Sequence, residues 1–283
     1  MCCASSGSAD SMPESHPEPT IAGGIWSTVS GPLDGPAICI VHGSMDRSTG
    51  MMRLARRVDH AARVVRFDRR GYGRSRAHSG PFTLAGNVDD LIAVLDLHLP
   101  DRAVHLFGHS YGGDVVLAAS RRLGDRVASI AVFEPPLSWT PWWPSGSANM
   151  LVDVDGQPVD DTDDAAERFM RRLIGDDRWE RLPPRTRTER RAEGRALVGE
   201  LADLRERPAF DVVDISVPVL AMCGSRGADH HRRAARELEE MLPEARSLEI
   251  PGARHFGPNT HPDEVAEAWL AHLNVDGFSV GRG

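Results

Sequence analysis

Short apolar runs alternate with stretches of helical periodicity along most of the chain. Ile38 to Val41, Val64 to Asp68, Val104 to Phe107, Val127 to Phe133, Val219 to Cys223 and Ser247 to Ile250 read as strands. Helices are expected over 50–61, from an N-cap at Thr83 to about Leu97, from the turn at Ser110 to Arg122, near 229–242, and from Pro262 to Leu273. In the second of these, Leu91, Val94, Leu95 and His98 form one stripe. Strands that alternate with helices in this way predict an α/β fold, with a mostly parallel central sheet and helices on both faces. The block 137–210 breaks the rhythm. It opens with Trp139, Trp142 and Trp143 among prolines, then shows helical patterns over 163–174 and 186–206. An insertion between two strands of an open α/β sheet sits over the strand ends where ligands bind, so it is expected to be a cap. The resulting organisation is a disordered leader at 1–20, a core of 21–136 and 211–275, a cap at 137–210 and a tail at 276–283.

Composition narrows the chemistry. The 283 residues carry 33 basic side chains, every one arginine, against 41 acids, for a net charge of −8. Without lysine there is no Walker-type phosphate lysine, no Schiff base and no Ser–Lys dyad. The acidic balance argues against nucleic acid as a partner. No run of 18 apolar residues suits a membrane span, and the start lacks a charged and apolar signal pattern. Cys2, Cys3, Cys39 and Cys223 show neither zinc spacing nor a disulfide framework. A cytoplasmic protein is expected, monomeric or homodimeric, that holds no metal or cofactor and acts on a small molecule.

Gly108-His109-Ser110-Tyr111-Gly112 matches the G-x-S-x-G pattern, with a strand before it and a helix after. The chemistry needs a serine on a sharp strand-to-helix turn, with small neighbours two residues away. There the hydroxyl faces the free N–H groups of a helix N-terminus, which favour a developing anion. Three further features keep company with it: His42-Gly43 after an early strand, Asp68-Arg69-Arg70-Gly71-Tyr72-Gly73-Arg74-Ser75, and Gly252-Ala253-Arg254-His255 before the last helix. With these four features in this order, the sequence resembles the α/β-hydrolase superfamily over residues 22–275.

The resemblance implies an α/β-hydrolase fold with Ser110 as nucleophile and His255 as its base. An imidazole titrates near ~6.5, which suits a base that must take and return a proton at neutral pH. His261 is the local competitor. The resemblance also implies an oxyanion hole from the Ser44 and Tyr111 amides, with His42 bracing the loop and Arg69 to Ser75 shaping the core. Most relatives place an Asp after the penultimate strand, but here that stretch reads Gly224-Ser225-Arg226-Gly227. Two acids remain. Glu134 ends the strand after the nucleophile helix, a position used in some branches of the superfamily. Asp229 is the alternative, with a helix N-cap as its ordinary role. Either preserves the order Ser, acid, His.

Haloalkane dehalogenase and epoxide hydrolase chemistry is set aside, because those enzymes use an Asp nucleophile. The two tyrosines, Tyr72 and Tyr111, also lie in core motifs and not in the cap. Adjacent His230 and His231 are expected to face apart on a helix, so they make no metal pair. Trp139, Trp142 and Trp143 are expected to wall the substrate pocket, while Phe169, Met170 and Leu173 form the cap's own core. The implied activity is hydrolysis of a small to medium apolar ester, lactone or thioester through an acyl-enzyme. The alternative is a ligand receptor or signalling homologue that keeps the triad but turns over slowly.

Overall fold

The central apolar runs are buried on both sides because successive side chains of a strand point to opposite faces. In the strand Ala37–Val41, Cys39 and Val41 join one apolar cluster, and Ile38 and Ile40 join the other. The computed structural model describes residues 20–144 and 161–273. Its strands are β1 (Thr20–Ala22), β2 (Ile25–Ser30), β3 (Ala37–Val41), β4 (Arg63–Phe67), β5 (Val104–His109), β6 (Val127–Phe133), β7 (Val219–Gly224) and β8 (Ala245–Ile250). They form one eight-stranded sheet in the order β1-β2-β4-β3-β5-β6-β7-β8. Strands β3 to β8 are parallel, and the β1–β2 and β2–β4 pairings are antiparallel.

The α-helices are α1 (Met52–Val58), α2 (Leu84–His98), α3 (Tyr111–Leu123), α4 (Thr162–Ile174), α5 (Asp176–Glu180), α6 (Pro184–Arg191), α7 (Gly194–Glu206), α8 (Asp229–Met241), α9 (Gly257–Thr260) and α10 (Pro262–Leu273). Helices α2, α3 and α8 cover one face of the sheet, and α1 and α10 cover the other. The chain leaves β3 toward β4 and returns to β5 on the opposite side of β3. That reversal opens a crevice at the carboxyl ends of β3 and β5, the place where open α/β sheets bind ligands. Helices α4 to α7 all lie between β6 and β7 in sequence. They share a small apolar core, built around Met170, Trp179 and Leu197, with Met45 and Tyr72 of the main body.

Several expectations need correction. Strands β1 and β2 have no counterpart in the sequence reading, because Ile25 to Ser30 mixes Ser and Thr with its apolar residues and has no continuous apolar run. The helix expected over 50–61 is confined to α1. The pattern over 186–206 is two helices, since the chain turns at Ala192–Glu193, where the buried Glu193 carboxylate accepts from Gly73 N–H at 3.0 Å and pairs with Arg47 at 2.9 Å. Helix α5 was not anticipated. The leader lies outside the described residues except Thr20, which opens β1; the tail lies outside them too, as does 145–160 of the expected cap. No helix among the described residues is long and apolar enough to cross a membrane. Cys39 and Cys223 are buried and unpaired, and burial pushes the Cys223 thiol up to about 12.

Candidate active site

Ser110 connects β5 to α3 with φ 52° and ψ −130°, a left-handed conformation rare for a side chain with a Cβ. Backbone bonds hold it there: Ser110 N–H donates to the Phe133 carbonyl at 2.9 Å, and Gly113 N–H donates to the Ser110 carbonyl at 2.7 Å. The turn is tight enough that a Cβ on Gly108 would lie 2.3 Å from the Gly112 carbonyl oxygen, so only glycine fits. The serine side chain caps nothing, which leaves its hydroxyl uncommitted to the helix.

Ser44 follows β3 in a loop that carries another left-handed residue, Met45, at φ 58°. Tyr111 is the first residue of α3, so its N–H has no acceptor within the helix. No described backbone bond uses the Ser44 amide. The loop is braced from below by His42. Its Nε2 accepts from Arg69 N–H at 2.9 Å, so the proton sits on Nδ1 and donates to the Gly43 carbonyl at 2.8 Å. Burial and the neighbouring Arg69 guanidinium hold the His42 pKa well below the ordinary imidazole range, which keeps this brace neutral.

Glu134 ends β6 at φ 49° and is fully buried. Its Oε1 accepts from Gly224 N–H at 2.9 Å, and its Oε2 lies 2.7 Å from His255 Nδ1. A Cβ on Gly227 would lie 2.5 Å from that Oε1, so the stretch that lacks the usual Asp makes room for Glu134 instead. A carboxylate can only accept, so His255 carries its proton on Nδ1 and presents a bare Nε2. His255 sits in the turn between β8 and α9, and its carbonyl accepts from His109 Nε2–H at 2.8 Å. Burial drives the His109 pKa down to about 3, so that anchor is neutral. Ser110, Ser44, Tyr111 and His255 all line one cavity of about 320 Å³.

The competing residues lie elsewhere. Asp229 is the first residue of α8, one place after its N-cap Ala228; its side chain is 94% exposed and pairs with Arg232. His261 is bonded to Thr260 at 2.9 Å in an exposed position.

The alpha/beta hydrolase family model matches residues 40–268. The chain belongs to the alpha/beta hydrolase family. A pimeloyl-[acyl-carrier protein] methyl ester esterase of Chromobacterium violaceum is 28% identical over 248 residues, covering 85% of this chain and 95% of that one. A probable oxidoreductase EphD of Mycobacterium tuberculosis is 35% identical over 107 residues; the match takes 36% of this chain and spans only 18% of the relative's length. Among solved structures, an enol-lactonase from Burkholderia xenovorans superposes with a TM-score of 0.69 at 22% identity, covering 91% of this chain and all (100%) of that one. At that identity the likeness speaks for the fold.

The cavity wall of this α/β hydrolase differs from the expected one. Trp143 lines it, edge-on to His230 and His231 at centroid distances of 4.7 and 5.3 Å. Trp139 instead packs edge-on against Phe210 at 5.8 Å, beside a different cavity, and Trp142 lies beneath Arg233 at 4.3 Å. The turn through 140–143 sends these neighbouring rings to different sides. Phe169 and Leu173 line the cavity, and only Met170 of that trio is fully given to the inner core. His230 and His231 do not face apart. Their rings lie 4.4 Å between centroids because both lean toward the cavity from the first turn of α8.

No local signal in the sequence places His231 or Glu200 at the site. His231 stacks on His255 at 4.9 Å with the rings 26° apart, and its Nε2 is 3.9 Å from Glu134. Burial keeps its pKa well below the ordinary range, so it holds His255 by contact without competing for the carboxylate's charge. Glu134, His231 and His255 bring three possible metal-ligating atoms within 4.8 Å of one another, but Glu134 and His255 already satisfy each other. Glu200 of α7 is fully buried, pairs with Arg69, and accepts from the hydroxyls of Ser44 and Tyr72 at 2.8 Å each. Read in sequence, it is one of three acids on an amphipathic helix, with nothing to separate it from a solvated face.

Glu200 therefore fastens α7 to the Ser44 loop. Glu200→Gln leaves the Arg69 charge buried without its counter-ion. It is expected to lower unfolding stability by about 3 kcal/mol, since breaking one side of a buried pair is far costlier than the pair is worth. Urea unfolding reads this directly, and an unchanged midpoint would rule out a buried charged pair.

Asp114, in the first turn of α3, is another buried acid, and burial pushes its carboxyl well above the usual carboxylate range. The unfolded chain releases this proton above ~3.9 while the folded chain keeps it, so Asp114 costs stability as pH rises. Asp114→Asn removes that dependence. The stability of the variant relative to the parent is expected to improve as pH rises above the ordinary carboxylate range, by at most about 1.4 kcal/mol per pH unit. A pH-independent difference would mean that Asp114 is ionised in the native protein.

Proposed function

We propose that this chain is a cofactor-independent serine hydrolase of ester bonds, acting on a small to medium ester, lactone or thioester. The observation that carries the reading is the hydrogen bond from His255 to the buried Glu134 carboxylate, in the wall of the cavity that holds the Ser110 turn. Relatives named as ester hydrolases support the bond type.

Glu134 fixes the tautomer and orientation of His255 and stabilises the imidazolium once it forms. His255 Nε2 takes the Ser110 hydroxyl proton as Oγ adds to the carbonyl carbon. The Ser44 and Tyr111 amides receive the oxygen that becomes an anion. His255 then returns the proton to the departing alcohol or thiol, which leaves an acyl group on Ser110. Water, deprotonated by the same imidazole, adds to the acyl carbon. Collapse releases the carboxylic acid and restores the serine.

A fluorophosphonate probe tests the proposal. Folded protein is expected to carry the probe on Ser110, located by mass spectrometry of the peptide, and to turn over p-nitrophenyl esters. Folded protein that takes no label defeats the serine mechanism. Labelling without turnover across acyl, lactone and thioester panels points to the receptor reading instead.

A further inference from the structure

Two arginines that the proposed reaction does not use, Arg172 and Arg205, line the cavity above Ser110. Arg205 lies near the end of α7 and lines the cavity with Leu201, one helical turn before it, and with Phe169 and Leu173 of α4. Its Nη2 is buried without a hydrogen-bond partner, and no carboxylate among the described residues pairs with the guanidinium. Burial lowers its pKa, with no acid among the described residues offsetting the effect. The chain does not lack acids, which number 41 against 33 arginines. Nearby acids are engaged elsewhere: Glu200 with Arg69, and Asp203 with the Leu84 amide and Arg207. Placing a guanidinium in a half-buried apolar wall without a counter-ion costs stability, and that cost is recovered when a ligand brings the missing anion.

Resting on the serine-hydrolase reading above, we propose that the substrate carries a free carboxylate away from the bond that is cut, and that Arg205 binds it. One guanidinium fork matches the single charge and two oxygens of a carboxylate. Phe169, Leu173 and Leu201 wall the methylene chain between the carboxylate and the scissile carbonyl. The preferred substrate is therefore a half-ester of a dicarboxylic acid, an ester of a hydroxy acid, or a lactone with a carboxylate arm. A neutral ester leaves Arg205 unpaired.

Two substrate series test this on the full chain. In the first, p-nitrophenyl half-esters of glutaric, adipic and pimelic acids are compared with the same compounds methylated on the free acid. In the second, acetylated hydroxy acids are compared with their methyl esters. At one chain length of at least one series, kcat/KM for the free acid is expected to exceed that for its methylated partner by ~10-fold or more, as a hydrogen bond to a charged group provides. Arg205→Gln is expected to collapse that ratio toward one, chiefly through KM, and Arg205→Lys to retain part of it. A ratio near one in both series, or a ratio untouched by Arg205→Gln, overturns the proposal. Calorimetry keeps it separable from the serine mechanism. Ser110→Ala protein is expected to bind free adipate or pimelate and to lose that binding when Arg205→Gln is added. If Ser110 takes no probe yet the dicarboxylate binds through Arg205, the hydrolase reading fails and the anion site stands. If esters are cut with no preference and no dicarboxylate binds, the anion site fails and the hydrolase reading stands.

Discussion

Ser110→Ala is expected to reduce kcat on activated esters by ~10⁶-fold, the scale seen when a serine nucleophile that works as one unit with its base is removed. In the proposed mechanism the variant loses the atom that forms the covalent bond, while His255 and the amides of Ser44 and Tyr111 remain. What survives is the part of catalysis that comes from binding and anion stabilisation, a residual ~10³–10⁴ over water in serine hydrolases. The loss cannot be ascribed to unfolding. The hydroxyl caps no helix, and the backbone bonds that impose φ 52° involve main-chain atoms that alanine keeps. The melting temperature is therefore expected to match the parent's, and probe labelling to vanish. Turnover above about one per cent of the parent would mean that another group attacks the carbonyl.

Glu134→Gln has the second largest expected effect, a loss of ~10³–10⁴-fold in kcat with little change in fold. The amide is close in shape to the carboxylate, so its oxygen can still accept from Gly224 N–H. Its NH₂ group then faces His255 Nδ1 and donates. The ring must accept there, so its proton moves to Nε2, where the serine proton would have to go. The buried counter-charge for the imidazolium is lost in the same step. Asp229→Asn is expected to stay within about twofold of the parent, because an exposed acid paired with Arg232 contributes little to anything beyond its own surface. Parallel kinetics on the two variants decide between the acids. A crippled Asp229→Asn beside an active Glu134→Gln would reverse the assignment.

The same logic explains why the cap is harder to read than the core. Strands β3, β5, β6 and β7 are dominated by apolar residues because both of their faces are covered, and such stretches are visible in one dimension. Helices α4 to α7 bury small, interrupted surfaces, so Phe169 and Leu173 carry the same pattern whether they fill a core or wall a cavity. The tryptophans at 139, 142 and 143 show this most plainly: proximity in the chain says nothing of direction once a turn intervenes, and only Trp143 reaches the cavity.

Periodicity and turn chemistry are local, so the chain alone determined the parallel α/β architecture, the sharp turn at Ser110 and the order of the residues around it. Which carboxylate meets His255 is a long-range fact. Glu134 is 121 positions away in sequence and 2.7 Å away in space, and no local preference distinguishes it from Asp229. The stacking of His231 on His255, the tie from Glu200 to the Ser44 loop and the place of the Arg205 guanidinium in the cavity wall belong to the same class. Each is set by which faces of distant elements come together. A charged or aromatic side chain looks alike in sequence whether it meets water, a partner or a substrate, and only packing decides among the three.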